Sequence, residues 1–183
     1  QSIMKWSRFL LFKQGLCTPV TISEESKKTF DNYYKINAPM IYNGVSNYIE
    51  TSVPSLRDNE TQLLFIHPAS CQPIKNQQLL IKAFAKVVEE YPNSKMIWMG
   101  RNDSDITLYK SLIPYMVKQF KYIGPVAHVR DYLAQADAMC LSSKMEGMPM
   151  TIIEAFSVGC PALCTPVGGI VNMINEGENG MLS

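Results

Sequence analysis

The amino-acid sequence predicts an α/β protein built on a doubly wound parallel sheet. Short apolar runs of about four to six residues alternate with helical stretches from Leu63 onward, the pattern of successive βαβ units. Several of those runs are apolar at both alternating positions, as strands covered on both faces must be. Finally, 46% hydrophobic and 18% charged residues in a chain of 183 supply enough apolar surface for one principal core.

The first sixty positions read differently from the rest. Met4 to Phe12 has helical character, Val20 to Ile22 suits a strand, and Ser23 can cap an amphipathic helix from Glu24 to Tyr34. Glu24 and Glu25 complement the positive end of that helix, whereas Ser26 stands where a reciprocal capping box would carry Glu or Gln. Pro39 to Tyr42 is a strand candidate running into the Asn43-Gly44 turn, and polar Ser46 to Gln62 reads as a long connection. The expected division is residues 1–45 as an entry segment and 46–183 as the main domain.

The six predicted strands of that domain are Leu63 to His67, Lys95 to Met99, Tyr122 to Gly124, Ala138 to Ser142, Pro161 to Cys164 and Gly180 to Leu182. Between the first two, Leu79, Leu80, Ala83, Phe84, Val87 and Val88 form one stripe at helical spacing, so Gln77 to Tyr91 is a helix ended by Pro92-Asn93. Leu108 to Val117 is helical but interrupted at Pro114, and Arg130 to Ala136 is a short helix. Thr151 to Val158 opens after Pro149 and stops at Gly159, and Ile170 to Ile174 follows Gly168-Gly169.

Composition excludes some partners. Seventeen Lys and Arg against sixteen Asp and Glu leave a charge of +1, so no broad field exists to hold nucleic acid, and a bound anion must be gripped locally. Five cysteines, Cys17, Cys71, Cys140, Cys160 and Cys164, include no C-x-x-C pair, and with no apolar run near the roughly 20 residues of a bilayer span they point to a reducing, cytoplasmic setting. Gln1 at the start and Ser183 directly after a strand suggest a piece of something longer. Two histidines, His67 and His128, cannot furnish a zinc site, and no G-x-G-x-x-G follows a strand, which argues against a dinucleotide oxidoreductase.

In a doubly wound sheet ligands settle at the carboxyl ends of strands. The segment after the fourth strand, Ser142 to Thr151, leads into a helix containing Glu154. Gly147 lets main chain approach a ligand, and the amides from Met148 to Ile152 face an anion at the helix start. Glu146 and Glu154 are either ordinary solvated acids or acceptors for paired hydroxyls. Amides gripping a diphosphate and acids gripping diols describe a nucleotide sugar. His67 closes a strand at the same mouth and is either a base or a packed imidazole. Gly168-Gly169 either admits a phosphate or base, or makes a tight turn.

Glu146-Gly147-Met148-Pro149 through Glu154-Ala155 resembles the E-x7-E segment of retaining glycosyltransferases of the GT-B fold, most closely glycosyltransferase family 4. Lys75-Asn76-Gln77, the strand ending at Gly100, Tyr122-Ile123-Gly124 with Val129-Arg130-Asp131-Tyr132-Leu133, Ala136-Asp137, Thr165 to Gly169 and Glu178-Asn179-Gly180 resemble that family's donor-binding lobe in the same order. The resemblance implies a Rossmann-like lobe of a GT-B fold, truncated at its C-terminus, with residues 1–45 closing the acceptor lobe and the inter-lobe segment. It implies that Glu154 holds the donor's ribose, that Glu146 contacts the transferred sugar, and that Gly147, Met148, Pro149, Met150 and Thr151 line the phosphates and sugar. Lys75 would neutralise the departing diphosphate, without metal or other cofactor. Family members also carry an arginine shortly before that lysine, and Pro68 to Ile74 contains none. Arg101 either supplies the missing charge or stays on the surface beside Asp103 and Asp105.

The partners implied are a nucleotide sugar and an acceptor lobe absent from this chain, through which alone a membrane would be met. Transfer in glycan or polysaccharide biosynthesis is the function that follows, with poor activity expected of the chain by itself. An epimerase or phosphorylase on the same fold, or a silent nucleotide-sugar-binding subunit, are the alternatives.

Overall fold

The computed structural model describes residues 2–47, 53–102 and 106–183, and its side chains from Trp6 onward with the exception of Ile106. They form two compact units, residues 1–44 and 45–183.

In the first unit, helix α1 (Ser2–Lys13) and helix α2 (Glu24–Tyr34) are the only regular elements among the described residues. Phe12, Phe30 and Tyr34 meet ring to ring with centroids 4.7 to 5.6 Å apart. Ser26 does complete a capping box: the Ser23 amide donates to Ser26 Oγ at 3.1 Å, and the Ser26 amide donates to Ser23 Oγ at 3.2 Å. A hydroxyl oxygen thus replaces the longer acid expected from sequence. The two predicted strands shrink to a single bridge, Thr21 with Met40. Asp31 explains the arrest: it accepts from the Ala38 amide and from Lys27 Nζ, diverting the chain into a turn.

The second unit is a six-stranded parallel sheet of β1 (Leu63–Pro68), β2 (Ser94–Met99), β3 (Phe120–Gly124), β4 (Ala138–Leu141), β5 (Ala162–Cys164) and β6 (Gly180–Leu182). The strands lie in the order β3-β2-β1-β4-β5-β6. From β1 the chain steps outward to β3, crosses back to β4 beside β1, and steps outward the other way. The reversal opens a crevice beyond the carboxyl ends of β1 and β4.

Between the strands lie α3 (Gln77–Glu90), α4 (Ile106–Leu112), α5 (Val129–Leu133) and α6 (Met150–Phe156), with single 3-10 turns at Pro73–Lys75, Ile113–Tyr115 and Gly168–Asn172. From the expected stripe on α3, Leu80 and Phe84 are buried against Met96, Trp98 and Phe120; Ile81, outside that stripe, is buried with them, and Leu79 is exposed. Pro114 ends α4 in the second of those turns, as its missing amide requires. The helix expected at Ile170 is instead the turn Gly168–Asn172. On the opposite face Leu64, Ile66, Leu133, Met139, Ile152 and Ile170 build a second core.

The connection into the sheet is pinned at its amino end. Lys95, nearly buried, donates to the Leu56 carbonyl at 2.6 Å and to Asp58 at 2.8 Å, while Arg57 pairs with Asp137 at 2.9 Å. Residues 48–52 of the predicted connection, and the Asp103 and Asp105 predicted beside Arg101, lie outside the described residues.

His67 is the packed imidazole rather than an exposed base. It is fully buried; its Nδ1–H donates to the Cys140 carbonyl at 2.8 Å, tying β1 to β4, and its Nε2 faces the Gln77 amide nitrogen at 3.3 Å. Gln77 in turn donates to the Ser70 carbonyl at 2.9 Å. Burial lowers the imidazole to about 4 from 6.5. The unfolded chain therefore binds a proton that the native chain refuses. The contribution of His67 is complete above about pH 6.5 and is lost as the pH falls toward 4, on the order of 3 kcal/mol. Urea unfolding at stepped pH checks this: the wild type should weaken across that window, and His67→Asn should flatten the slope.

Candidate functional site

The crevice is built by three loops. The loop after β1 carries Lys75 in a 3-10 turn whose last residue hands over to Asn76 in a left-handed conformation, φ 52°. The loop after β4 carries Glu146. Their side chains meet: Lys75 Nζ lies 2.6 Å from Glu146 Oε1, an ion pair bridging the point where the strand order reverses. Both groups are largely shielded, at 23% and 10% side-chain exposure, so the pair is held by protein rather than spread through solvent.

Further contacts lock the two loops together: Ser142 Oγ is placed for the carbonyls of Lys75 and Asn76 at 2.9 and 3.1 Å, and the Lys144 amide donates to the Ile74 carbonyl at 2.8 Å. Within the second loop Ser143 Oγ donates to Glu146 Oε1 at 2.6 Å. Thr165, after β5, donates through its hydroxyl to the Ser143 carbonyl at 2.6 Å. Lys75 and Ser143 therefore share one carboxylate oxygen of Glu146 and leave the other as an acceptor for a hydroxyl. Sequence reasoning missed Ser142, Ser143 and Thr165. Ser143, three positions before an acid in a loop, was the available signal, because that spacing lets a hydroxyl fold back on a carboxylate.

Helix α6 follows. Pro149 is its N-cap and has no side-chain acceptor to offer, so the first-turn amides at Met150 and Thr151 are open to an incoming anion. A Cβ added at Gly147 would meet nothing within 4 Å, so there is open space directly above this loop. Gly169 is different. A Cβ there would clash with the Gly147 carbonyl oxygen, and the Gly169 amide donates to the Glu146 carbonyl at 3.3 Å. Its missing side chain lets the turn after β5 support the Glu146 loop from behind. Gly168, with φ 54°, makes that turn.

Thr151 and Arg101 line one cavity of about 360 Å³ with Ser70, Gly100 and Val126. Arg101 is exposed, and its carbonyl accepts from the Cys71 amide at 2.7 Å. Glu154 lines an adjoining cavity of about 310 Å³ with the turn Val126 to Asp131; Val126 and Val129 belong to both. Burial pushes the Glu154 carboxyl above the ordinary value and the nearby Arg130 charge opposes this. His128 stands exposed at the N-cap of α5. The structure thus brings Lys75 into contact with Glu146, Thr151 into one cavity with Arg101, and Glu154 into the cavity beside it.

The cysteines contribute no reactive thiol here. Cys71, Cys140, Cys160 and Cys164 are buried and form no disulfide, and burial raises Cys160 to about 11 and Cys164 to about 12. Among the described residues no three His, Cys, Asp or Glu side chains gather in a metal-binding group, and no helix is long and apolar enough to cross a membrane. A cation facing a carboxylate, open main-chain amides and a second carboxylate one cavity away can accept a ligand that is anionic in the middle and rich in hydroxyls at both ends.

Comparison with known proteins shows the family and the fold. Residues 49–183 match the family model described as "Glycosyl transferases group 1". The N-acetyl-alpha-D-glucosaminyl L-malate synthase of Bacillus anthracis is 30% identical over 151 residues, 75% of this chain and 39% of that protein. Among solved structures, Anabaena HepE in complex with UDP-glucose superposes with a TM-score of 0.78 at 23% identity over 90% of this chain and 49% of its own. Staphylococcus aureus TarM, solved with fondaparinux, alpha-GlcNAc-glycerol and UDP, gives 0.74 at 20% identity, covering 89% of this chain and 33% of its own. The chain spans about a third to a half of the length of these proteins.

Proposed function

Since the chain belongs to the group 1 glycosyl transferases, we propose that its second unit is the donor-binding lobe of a retaining enzyme that moves a sugar from a nucleotide sugar to an acceptor in glycan or polysaccharide biosynthesis. The observation that carries this reading is the Lys75–Glu146 pair, 2.6 Å apart across the sheet's reversal point and directly before the open amides of α6.

The chemistry follows from charge. Breaking the bond between sugar and nucleoside diphosphate builds negative charge on the leaving phosphate oxygens. Lys75 and the Met150 and Thr151 amides are fixed in advance where that charge develops, and so favour the transition state over the ground state. Glu146, steadied by Ser143, accepts from hydroxyls of the sugar being moved, and Glu154 accepts from the ribose hydroxyls. Lys75 releases part of its hold on Glu146 when the diphosphate arrives. The acceptor comes from the other lobe of the full-length polypeptide, in a reducing, cytoplasmic compartment. This chain alone therefore binds donor but transfers little, because the second substrate is not held beside the first.

One observation favours a second reading. With no arginine between Pro68 and Ile74 and Arg101 on the exposed rim, the diphosphate meets less positive charge than the family pattern provides. A subunit that binds a nucleotide sugar without turning it over would fit that deficit.

A thermal-shift series with UDP-, GDP- and ADP-sugars tests the first reading, beginning with UDP because HepE and TarM were solved with it. A ligand held only by the native state at a hundred times its dissociation constant adds about 2.7 kcal/mol and raises the melting temperature. One base should do so; a flat response to all three would contradict donor binding. Turnover of the same donor by the two-lobed polypeptide separates transferase from silent subunit.

A further inference from the structure

Arg130 joins two regions 84 positions apart. Its Nη1 donates to the Ser46 carbonyl at 2.7 Å, and its Nη2 lies 3.4 Å from the Ser46 hydroxyl. Ser46 stands just past the boundary between Gly44 and Val45, where the chain enters the donor lobe. The same arginine lines the Glu154 cavity, whose other charged or titratable members are His128 and Asp131. His128 is exposed and Asp131 buried. Without Arg130 the cavity would hold two carboxylates and no permanent cation, so Glu154 would take up a proton more readily and lose its capacity to accept from two hydroxyls. Arginine suits both tasks, because one rigid fork can hold a carbonyl while its charge, which never titrates, faces an acid.

We propose that Arg130 is a positioning residue for donor binding, a single guanidinium that fixes the entering chain at Ser46 and keeps the Glu154 cavity charge-balanced. This rests on the assignment of Glu154 to the donor. Its consequence is that the segment between lobes and the ribose-binding acid do not move independently: displacing Ser46 loosens the guanidinium that keeps Glu154 ionised.

The test is calorimetric UDP titration of the 183-residue chain at stepped pH, for wild type, Arg130→Gln and Arg130→Lys, with the melting temperature as a fold control. An exposed contact of this kind contributes little to stability, so both variants should melt near the wild type. Arg130→Gln should bind UDP about tenfold more weakly at neutral pH and lose binding at a higher pH on acidification. Arg130→Lys, with charge but no fork, should keep the wild-type acid limb and recover affinity only in part. Unchanged affinity and an unchanged acid limb in Arg130→Gln would overturn the proposal. The Glu154 carboxyl resonance, titrated without nucleotide, separates the two ideas. If wild type binds no UDP, the donor assignment has failed, and a Glu154 midpoint that does not rise in Arg130→Gln still overturns the role of Arg130.

Discussion

Glu154→Ala abolishes the rise in melting temperature that UDP produces in the wild-type chain, with affinity down by about a hundredfold. Two hydrogen bonds from ribose hydroxyls to one carboxylate, at about 1.5 kcal/mol each, amount to about 3 kcal/mol, and that converts to slightly more than two decades in the dissociation constant. The variant should nevertheless fold. Burial raises the Glu154 carboxyl above its unfolded value, so the native state holds that proton more tightly than the unfolded state does. Its contribution to stability is therefore greatest at low pH and falls as the pH rises through the raised value. At neutral pH the ionised side chain is a cost that Glu154→Gln removes, and the unliganded melting temperature should hold or rise while UDP binding is lost. A residue kept for stability would behave in the opposite way. A UDP-induced shift of wild-type size in either variant would remove Glu154 from the site.

Lys75→Ala in the two-lobed polypeptide should lower kcat by about 10²- to 10³-fold, the usual loss when one fixed donor to a developing anion is removed, about 3 to 4 kcal/mol. KM for the donor should change less, because the lysine acts most on charge that appears during bond breaking. The ion pair adds a structural consequence. Glu146 is only 10% exposed, and without Lys75 the partner its carboxylate would keep among the described residues is the Ser143 hydroxyl at 2.6 Å. The single variant should lose about 1 to 2 kcal/mol of stability, and adding Glu146→Gln should restore most of that without restoring turnover. Stability and rate that recover together would mean that Lys75 serves only the loop.

How far the sequence went is best seen at particular residues. The inner strands β2 and β4 were legible because parallel strands covered on both faces read as apolar runs, the edge strands β3 and β6 are only partly covered, and each predicted strand lies within about two residues of its observed bounds. The α3 stripe was equally plain. The first forty-four residues were harder: Asp31 takes the Ala38 amide and the Lys27 ammonium just ahead of Pro39 to Tyr42, and no local pattern announces that. At the site, the loop holding Glu146 and the helix holding Glu154 were marked by acids, glycine and proline at telling positions. The contact between Lys75 and Glu146 was not legible, because it joins residues 71 positions apart. Gly169 has a similar history. A glycine pair reads as a tight turn or a phosphate seat, and only the clash that an added Cβ at Gly169 would make with the Gly147 carbonyl shows that its small size serves packing. His67 ended an apolar strand, and its burial together with the Cys140 carbonyl distinguishes a cross-strand tie from a base.

The central claim is that one nucleotide diphosphate sits across the crevice between β1 and β4. A crystal structure of the chain with UDP tests it most directly. The account predicts phosphate oxygens within hydrogen-bond reach of the Met150 and Thr151 amides and of Lys75, with both ribose hydroxyls on Glu154. Well-ordered nucleotide seated elsewhere on the lobe, with Lys75 still closed on Glu146 and Glu154 facing solvent, would contradict it.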